Sequence, residues 1–323
     1  MRNVLFFLTL VLLASCASNE PSLLEEPPYR ALTDSIRQKP GEPELFYRRG
    51  QLLFENGETE LARTDITRAW GLLPREDFAL SIATVLEKKS SDSALHFLEG
   101  AHRRVPGSVA ISIALAKAYR GKGQPANALA LCDSVIRRYP NALDALVLKS
   151  ELQKEGGQDA DAIRTLEQAY GYAPFDAELA HSLAFSYAQA GNPKALSLSD
   201  SLIRADSLKI HAEPYYFKAL YHEGRSESAQ ALALLDEAIA HDYNFLDAHM
   251  EKGQLLYAQK QYAPALQAFQ LAIRITPTFA DAYFWIGKSL EAMGNNAEAK
   301  INYQRAYGLD KTNAEAKAAA DRL

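Results

Sequence analysis

The chain has 323 residues, 48% of them hydrophobic and 23% charged, which excludes a disordered or fibrous polymer. Its 40 acidic residues outnumber 35 basic ones, for a formal net charge of -5, so no positive excess is available to neutralise nucleic-acid phosphates. Two cysteines, Cys16 and Cys132, are too few for a disulfide framework, and at this length either two domains or a repeat array is expected.

The first element is an apolar run from Val4 to Leu13, preceded by Arg2. It is too short to span a bilayer and suits the core of a secretory signal. It ends in Leu13-Ala14-Ser15-Cys16, which resembles the bacterial lipobox. The resemblance implies that residues 1–15 are a cleaved lipoprotein signal peptide. It also implies that Cys16 becomes the new N-terminus and carries a thioether-linked diacylglycerol. Two or three acyl chains anchor durably, because each buried methylene contributes about 0.8 kcal/mol. A plain cleaved signal with Cys16 incidental is the competing reading. In enterobacterial lipoproteins an Asp directly after the cysteine holds the protein in the inner membrane. Ala17 stands here, which points to the outer membrane of a diderm bacterium. Residues 16–28 read as a short polar tether, and residues 29–42 as an N-terminal packing helix.

Beyond this point the chain repeats. Alanine recurs at 62, 94, 128, 162, 195, 231, 265 and 299, in steps of 32, 34, 34, 33, 36, 34 and 34 residues. Seven residues after most of these lies Ala69, Ala101, Ala169, Ala238, Ala272 or Ala306, and five further often a proline: Pro74, Pro106, Pro140, Pro174, Pro277. Twelve residues before the first series sits Gly50, Ala116, Ala184, Ala219, Gly253 or Gly287. Small residues in this register let two antiparallel helices approach closely, and the proline stops the second helix. The pattern resembles the tetratricopeptide repeat (TPR). The resemblance implies an all-α, right-handed superhelical solenoid of about eight helix-turn-helix repeats over residues 43–313. The polar residues 314–323, with Asn313 as cap, read as the lid a solenoid needs over its last apolar face. Three repeats depart from the pattern. The second has Lys88-Lys89-Ser90-Ser91-Asp92 in place of a glycine turn. The fifth ends at Asp206-Ser207-Leu208 without proline, and the sixth reads as a long turn from Gly224 to Ala229.

Catalytic chemistry finds no support. The seven histidines form no HExxH or comparable metal spacing, so only a zinc site assembled across repeats would escape the search. Gly121-Lys122-Gly123 is a repeat turn and lacks phosphate-loop spacing. Cys132 falls where other repeats carry Ile66, Leu98, Leu166 or Phe269, and reads as a core residue. Neither a cofactor nor an enzymatic activity is expected.

In TPRs the inner groove is lined from positions 2, 5, 9, 12 and 13 of the first helix. Here that gives Tyr47, Phe54, Phe185, Tyr216, Tyr257 and Phe284, with His181 and Met250 beside them. Such rings suit capture of an extended peptide or a partner helix; the same rings also suit packing between repeats. Position 2 is acidic at Glu44, Glu76, Asp144, Glu178, Glu213, Asp247 and Asp281. That row is either a stripe for a basic partner or a set of carboxylates placed at positive helix ends. Where some TPRs grip a C-terminal carboxylate with Lys and Asn, the first repeat has Tyr47 and Gln51. The expectation is a membrane-anchored scaffold binding envelope proteins or peptides, like TPR lipoproteins of pilus secretin assembly, outer-membrane protein insertion and peptidoglycan-hydrolase adaptation. The alternative is a glycan- or peptide-binding lipoprotein of an uptake system. No nucleic acid is expected as a partner.

Overall fold

A computed structural model describes residues 23–88 and 90–323. The signal segment and Cys16 lie outside the described residues. The chain divides into two compact bodies, Met1–Leu131 and Cys132–Leu323.

The N-terminal body opens with a 3₁₀ turn, Leu23–Glu25, and α1, Arg30–Gln38. Helix pairs follow: α2 (Pro43–Glu55) with α3 (Thr59–Leu72), then α4 (Glu76–Glu87) with α5 (Ser91–Arg104). Next come α6 (Val109–Gly121) and α7 (Pro125–Arg138), which runs across the boundary. The C-terminal body continues with α8 (Leu143–Glu155) and α9 (Asp159–Tyr172), then α10 (Ala177–Gln189) and α11 (Lys194–Ala205). After these come α12 (Glu213–Gly224) and α13 (Ser228–His241), α14 (Leu246–Ala258) and α15 (Tyr262–Ile275), and α16 (Ala280–Ala292) and α17 (Asn296–Leu309). A last helix, α18 (Ala314–Arg322), is capped by Asn313 Oδ1 accepting the Ala316 N–H at 2.8 Å. Thus the eight repeats and two flanking helices expected from the sequence are eight helix pairs between α1 and α18. No helix among the described residues is long and apolar enough to cross a membrane.

The repeat register explains the packing. All eight alanines of the first series are buried. Where the opposing position is glycine, the helices are closer than any side chain would permit. A Cβ on Gly253 would lie 2.5 Å from Phe269 Cε1, and one on Gly50 would lie 2.5 Å from Ile66 Cγ1. Phe269 and Ile66 fill the space those glycines leave.

Two details differ from the sequence reading. The long turn expected over 224–229 is only three residues, 225–227, because Ser226 takes the left-handed conformation (φ 61°) that Gly157 and Gly191 supply elsewhere. The tether expected over 16–28 is already folded from Leu23. Leu24 packs on Tyr29, Leu53 and Ala62, and its carbonyl accepts the Thr33 hydroxyl at 2.7 Å. Arg49 completes this join. Its guanidinium donates to Thr33 Oγ1 at 3.0 Å and to both Asp65 carboxylate oxygens at 2.6 and 2.8 Å.

Candidate partner-binding clefts

In the N-terminal body Tyr47 and Phe54 project from α2. The Tyr47 ring lies 4.6 Å from that of Phe78, and its hydroxyl shares a 3.0 Å hydrogen bond with Ser81. Phe54 lines a cleft of about 150 Å³ with Gln51, Glu55 and Thr84, and the Lys88 ammonium sits 4.1 Å above its ring. A larger cleft of about 660 Å³ opens between α4, α5 and α6 and contains none of the expected aromatics. Its apolar lining is Ala83, Ala94, Leu98, Ala114 and Ala118, beside Lys117 and Lys122. Aromatic patterning does not mark it, because this cleft exists where side chains are small.

In the C-terminal body the expected groove residues lie in different surroundings. Phe185 is half-buried, between Phe217 (5.6 Å) and the Lys154 ammonium (4.5 Å). Met250 (7% exposed) and Phe284 (9%) are core residues, contrary to their assignment to the groove surface. Both side chains pack into the α14–α18 cluster. Phe284 still shows an edge to a cleft of about 530 Å³ that it shares with Tyr257, Lys288, Glu291, Tyr303 and Arg322. The Lys288 ammonium lies 4.5 Å from the Trp285 ring and 5.7 Å from that of Tyr257. Opposite, Glu291 accepts the Tyr303 hydroxyl at 2.9 Å and two Arg322 N–H groups at 2.7 and 3.0 Å. The Arg322 hydrogen bonds hold the Glu291 carboxyl below the usual carboxylate range. This cleft therefore offers an apolar wall, an ammonium and an ion pair side by side.

Tyr216, on α12, packs inward against Phe245 (5.2 Å) and Phe217 (6.4 Å). Burial raises its phenol well above its ordinary value, reinforced by the negative charges of Glu251, Asp247 and Glu223. Glu251 is itself pushed up to about 8, first by burial and then by its hydrogen bond with Glu223. Burial and the neighbouring Glu223 and Asp247 carboxyls thus favour its protonated form. Sequence reading missed this group because Glu251 belongs to no row and its partner lies one helix pair away.

The position-2 carboxylates all fall in the first turn of their helices. Glu44 is paired with Arg48 at 3.3 Å and Arg75 at 3.1 Å, and Glu76 accepts the Ser108 hydroxyl at 2.6 Å. Helix-dipole stabilisation accounts for their placement. Cys132 is fully buried, and desolvation pushes its thiol up to about 11, which leaves no reactive thiolate. His181, the last expected groove residue, faces α12, its ring edge-on to Phe217 at 6.1 Å.

Comparison with known proteins places these features in a family. A profile described as "Tetratricopeptide repeat" matches residues 85–149 and 119–184. Another of the same description matches 280–313, and a "TPR repeat" profile matches 253–294. No curated protein matches the chain. Among solved structures, a tetratricopeptide repeat protein from Parabacteroides merdae aligns over 76% of this chain and 97% of its own, at 16% identity and a TM-score of 0.63. PilW, a type IV pilus biogenesis factor, aligns over 64% of this chain and 94% of its own, at 17% identity and a TM-score of 0.53. The APC/C hetero-tetramer Cut9–Hcn1 aligns over 92% of this chain and 59% of its own, at 13% identity and a TM-score of 0.54.

Proposed function

Since the chain belongs to the tetratricopeptide-repeat family, we propose that it is a lipid-anchored scaffold that holds a partner protein or peptide at the outer membrane of a diderm bacterium. As a repeat array of this family it is a protein–protein interaction scaffold. The observation that carries the site is the C-terminal cleft. There Tyr257 and the edge of Phe284 offer apolar contact while Lys288, Glu291 and Arg322 offer polar contacts beside it. An extended peptide needs both kinds of contact: side-chain pockets for affinity and placed charges for register. The anchor rests on Leu13-Ala14-Ser15-Cys16, with Cys16 as the lipidated residue.

Two experiments test the two halves of this reading. Cys16→Ser should abolish lipid labelling and release the protein from the membrane fraction; retention in the membrane would reject the anchor. A photo-crosslinking residue at exposed Ala292, on the cleft wall, should capture a discrete envelope protein in cells. The same residue at exposed Ala240 on α13 should not. Equal capture at both positions, or none at Ala292, would reject the cleft.

A further inference from the structure

Among the described residues, the longest link between helix pairs is also where metal-ligating side chains meet. Links of four residues, such as 139–142, 173–176, 242–245 and 276–279, join successive pairs of the C-terminal body, whereas 206–212 has seven. The 36-residue step of the alanine series spans this link. It lets the loop curl back on itself: Lys209 adopts φ 53°, and the His211 backbone N–H donates to Asp206 Oδ2 at 2.8 Å. His211 is thereby brought beside His181 of α10 and Glu213, the first residue of α12.

We propose that His181, His211 and Glu213 form a binding site for a zinc-class divalent transition-metal ion. One ligand atom from each residue lies within 4.8 Å of the other two. The imidazole rings are 5.8 Å apart, centre to centre, and His211 Nδ1 is 3.8 Å from Glu213 Oε2. Zinc sites with three protein ligands take imidazole nitrogen and carboxylate oxygen at about 2.0–2.2 Å and leave a fourth position for water or another ligand. The His211 and Glu213 side chains, 51% and 46% exposed, have room to adjust toward that geometry.

Two observations single this cluster out from a simple ion pair. His181 Nδ1–H donates to the Ala177 carbonyl at 2.7 Å, which leaves Nε2 as the nitrogen that carries the lone pair. Backbone-oriented imidazoles of this kind are the usual state of a metal-bound histidine. Secondly, Glu213 Oε2 is buried with no hydrogen-bond partner, so the oxygen nearest His211 is the one that lacks a donor. An ion pair between His211 and Glu213 would leave His181 unexplained, whereas a cation coordinated by all three accounts for both. Two imidazoles exclude calcium and magnesium as the preferred guests, since those prefer all-oxygen sites. Such an ion would clasp α10 to α12 and fix the loop that carries exposed Leu208 and Ile210.

The test is calorimetric titration of the full, metal-stripped chain with zinc chloride. The expected result is one ion per chain with Kd on the order of 1 μM or tighter. His181→Ala and His211→Ala should each weaken binding at least tenfold, with Glu213→Gln close behind, while His102→Ala in the N-terminal body leaves it unchanged. Cobalt in place of zinc should give the visible absorption of a low-coordinate nitrogen–oxygen site, and His211→Ala should remove it. Because His211 is an exposed loop residue, that variant keeps the fold, as circular dichroism will verify. Absence of stoichiometric binding, or binding that persists in both histidine variants, overturns the proposal.

Discussion

The residues that set this fold's tolerances are those with the least side chain. Gly253 and Gly287 face Phe269 and Tyr303 so closely that an added Cβ would sit 2.5 and 2.8 Å from the ring carbons. Neither ring can retreat, because both lie in the core cluster. Gly253→Ala and Gly287→Ala should each cost about 1–3 kcal/mol, and the leucine variants more. Gly100, inside α5, faces open space, so Gly100→Ala should instead stabilise by roughly 0.5–1 kcal/mol. Denaturant melts of these variants give the comparison, and similar effects at all three sites would reject the close-approach argument. At Glu251 the same scale governs pH. Its ordinary value is 4.5 and its folded value about 8, so the folded protein binds this proton more tightly than the unfolded chain does. Its contribution to stability is therefore greatest below the ordinary value and is lost progressively as pH rises to about 8. Glu251→Gln should melt like the parent at about pH 5 and at a higher temperature at about pH 9. Equal pH dependence of the two proteins would show that Glu251 ionises normally.

Between elements, the informative joins are those the repeat pattern does not specify. The first helix pair is sealed by Arg49 bridging Asp65 and Thr33, both charged side chains being under 10% exposed. Asp65→Ala would leave a buried guanidinium without its counter-charge, at a cost of about 3–5 kcal/mol. A loss below about 1 kcal/mol by chemical denaturation would mean that the pair is solvated. This network was invisible in sequence, because a buried ion pair has no period; Arg49 and Asp65 look like ordinary surface charges on amphipathic helices. The repeat architecture, by contrast, was legible, since buried alanine and opposed glycine recur wherever helices must approach. What sequence missed locally was backbone freedom. Ser226 and Lys260 adopt positive φ of 61° where the pattern anticipates glycine, so the turn after α12 reads as longer than it is. Likewise the seven-residue link 206–212 reads only as a missing proline, although it is the segment that assembles His181, His211 and Glu213.

On the scale of the whole molecule, the question is which surface carries affinity. Tyr257 and an edge of Phe284 line one cleft, but register could not tell an exposed ring from a covered one, which is why Met250 and much of Phe284 proved to be core. Nor could it find the lysines: Lys88, Lys154 and Lys288 each lie over an expected groove aromatic, at 4.1, 4.5 and 5.3 Å from Phe54, Phe185 and Phe284. These contacts identify where binding should be tested. A buried aromatic anchor contributes about 2 kcal/mol or more at an interface, whereas exposed ion pairs contribute about 0–1 kcal/mol. Tyr216 is unsuited as the probe because it belongs to the packing of α12, so Tyr257→Ala combined with Lys288→Ala is the better variant. It should weaken the partner captured at Ala292 by more than about tenfold while the helical signal survives. Glu178→Gln with Asp281→Asn neutralises two exposed first-turn carboxylates. That pair should slow association modestly and flatten its salt dependence, because rim charges act mainly on encounter. Should the ranking invert, with the neutralised carboxylates losing most affinity and the cleft variant binding normally, the aromatic cleft is not the site. The acidic row would then be the recognition surface, and the partner would be a basic protein.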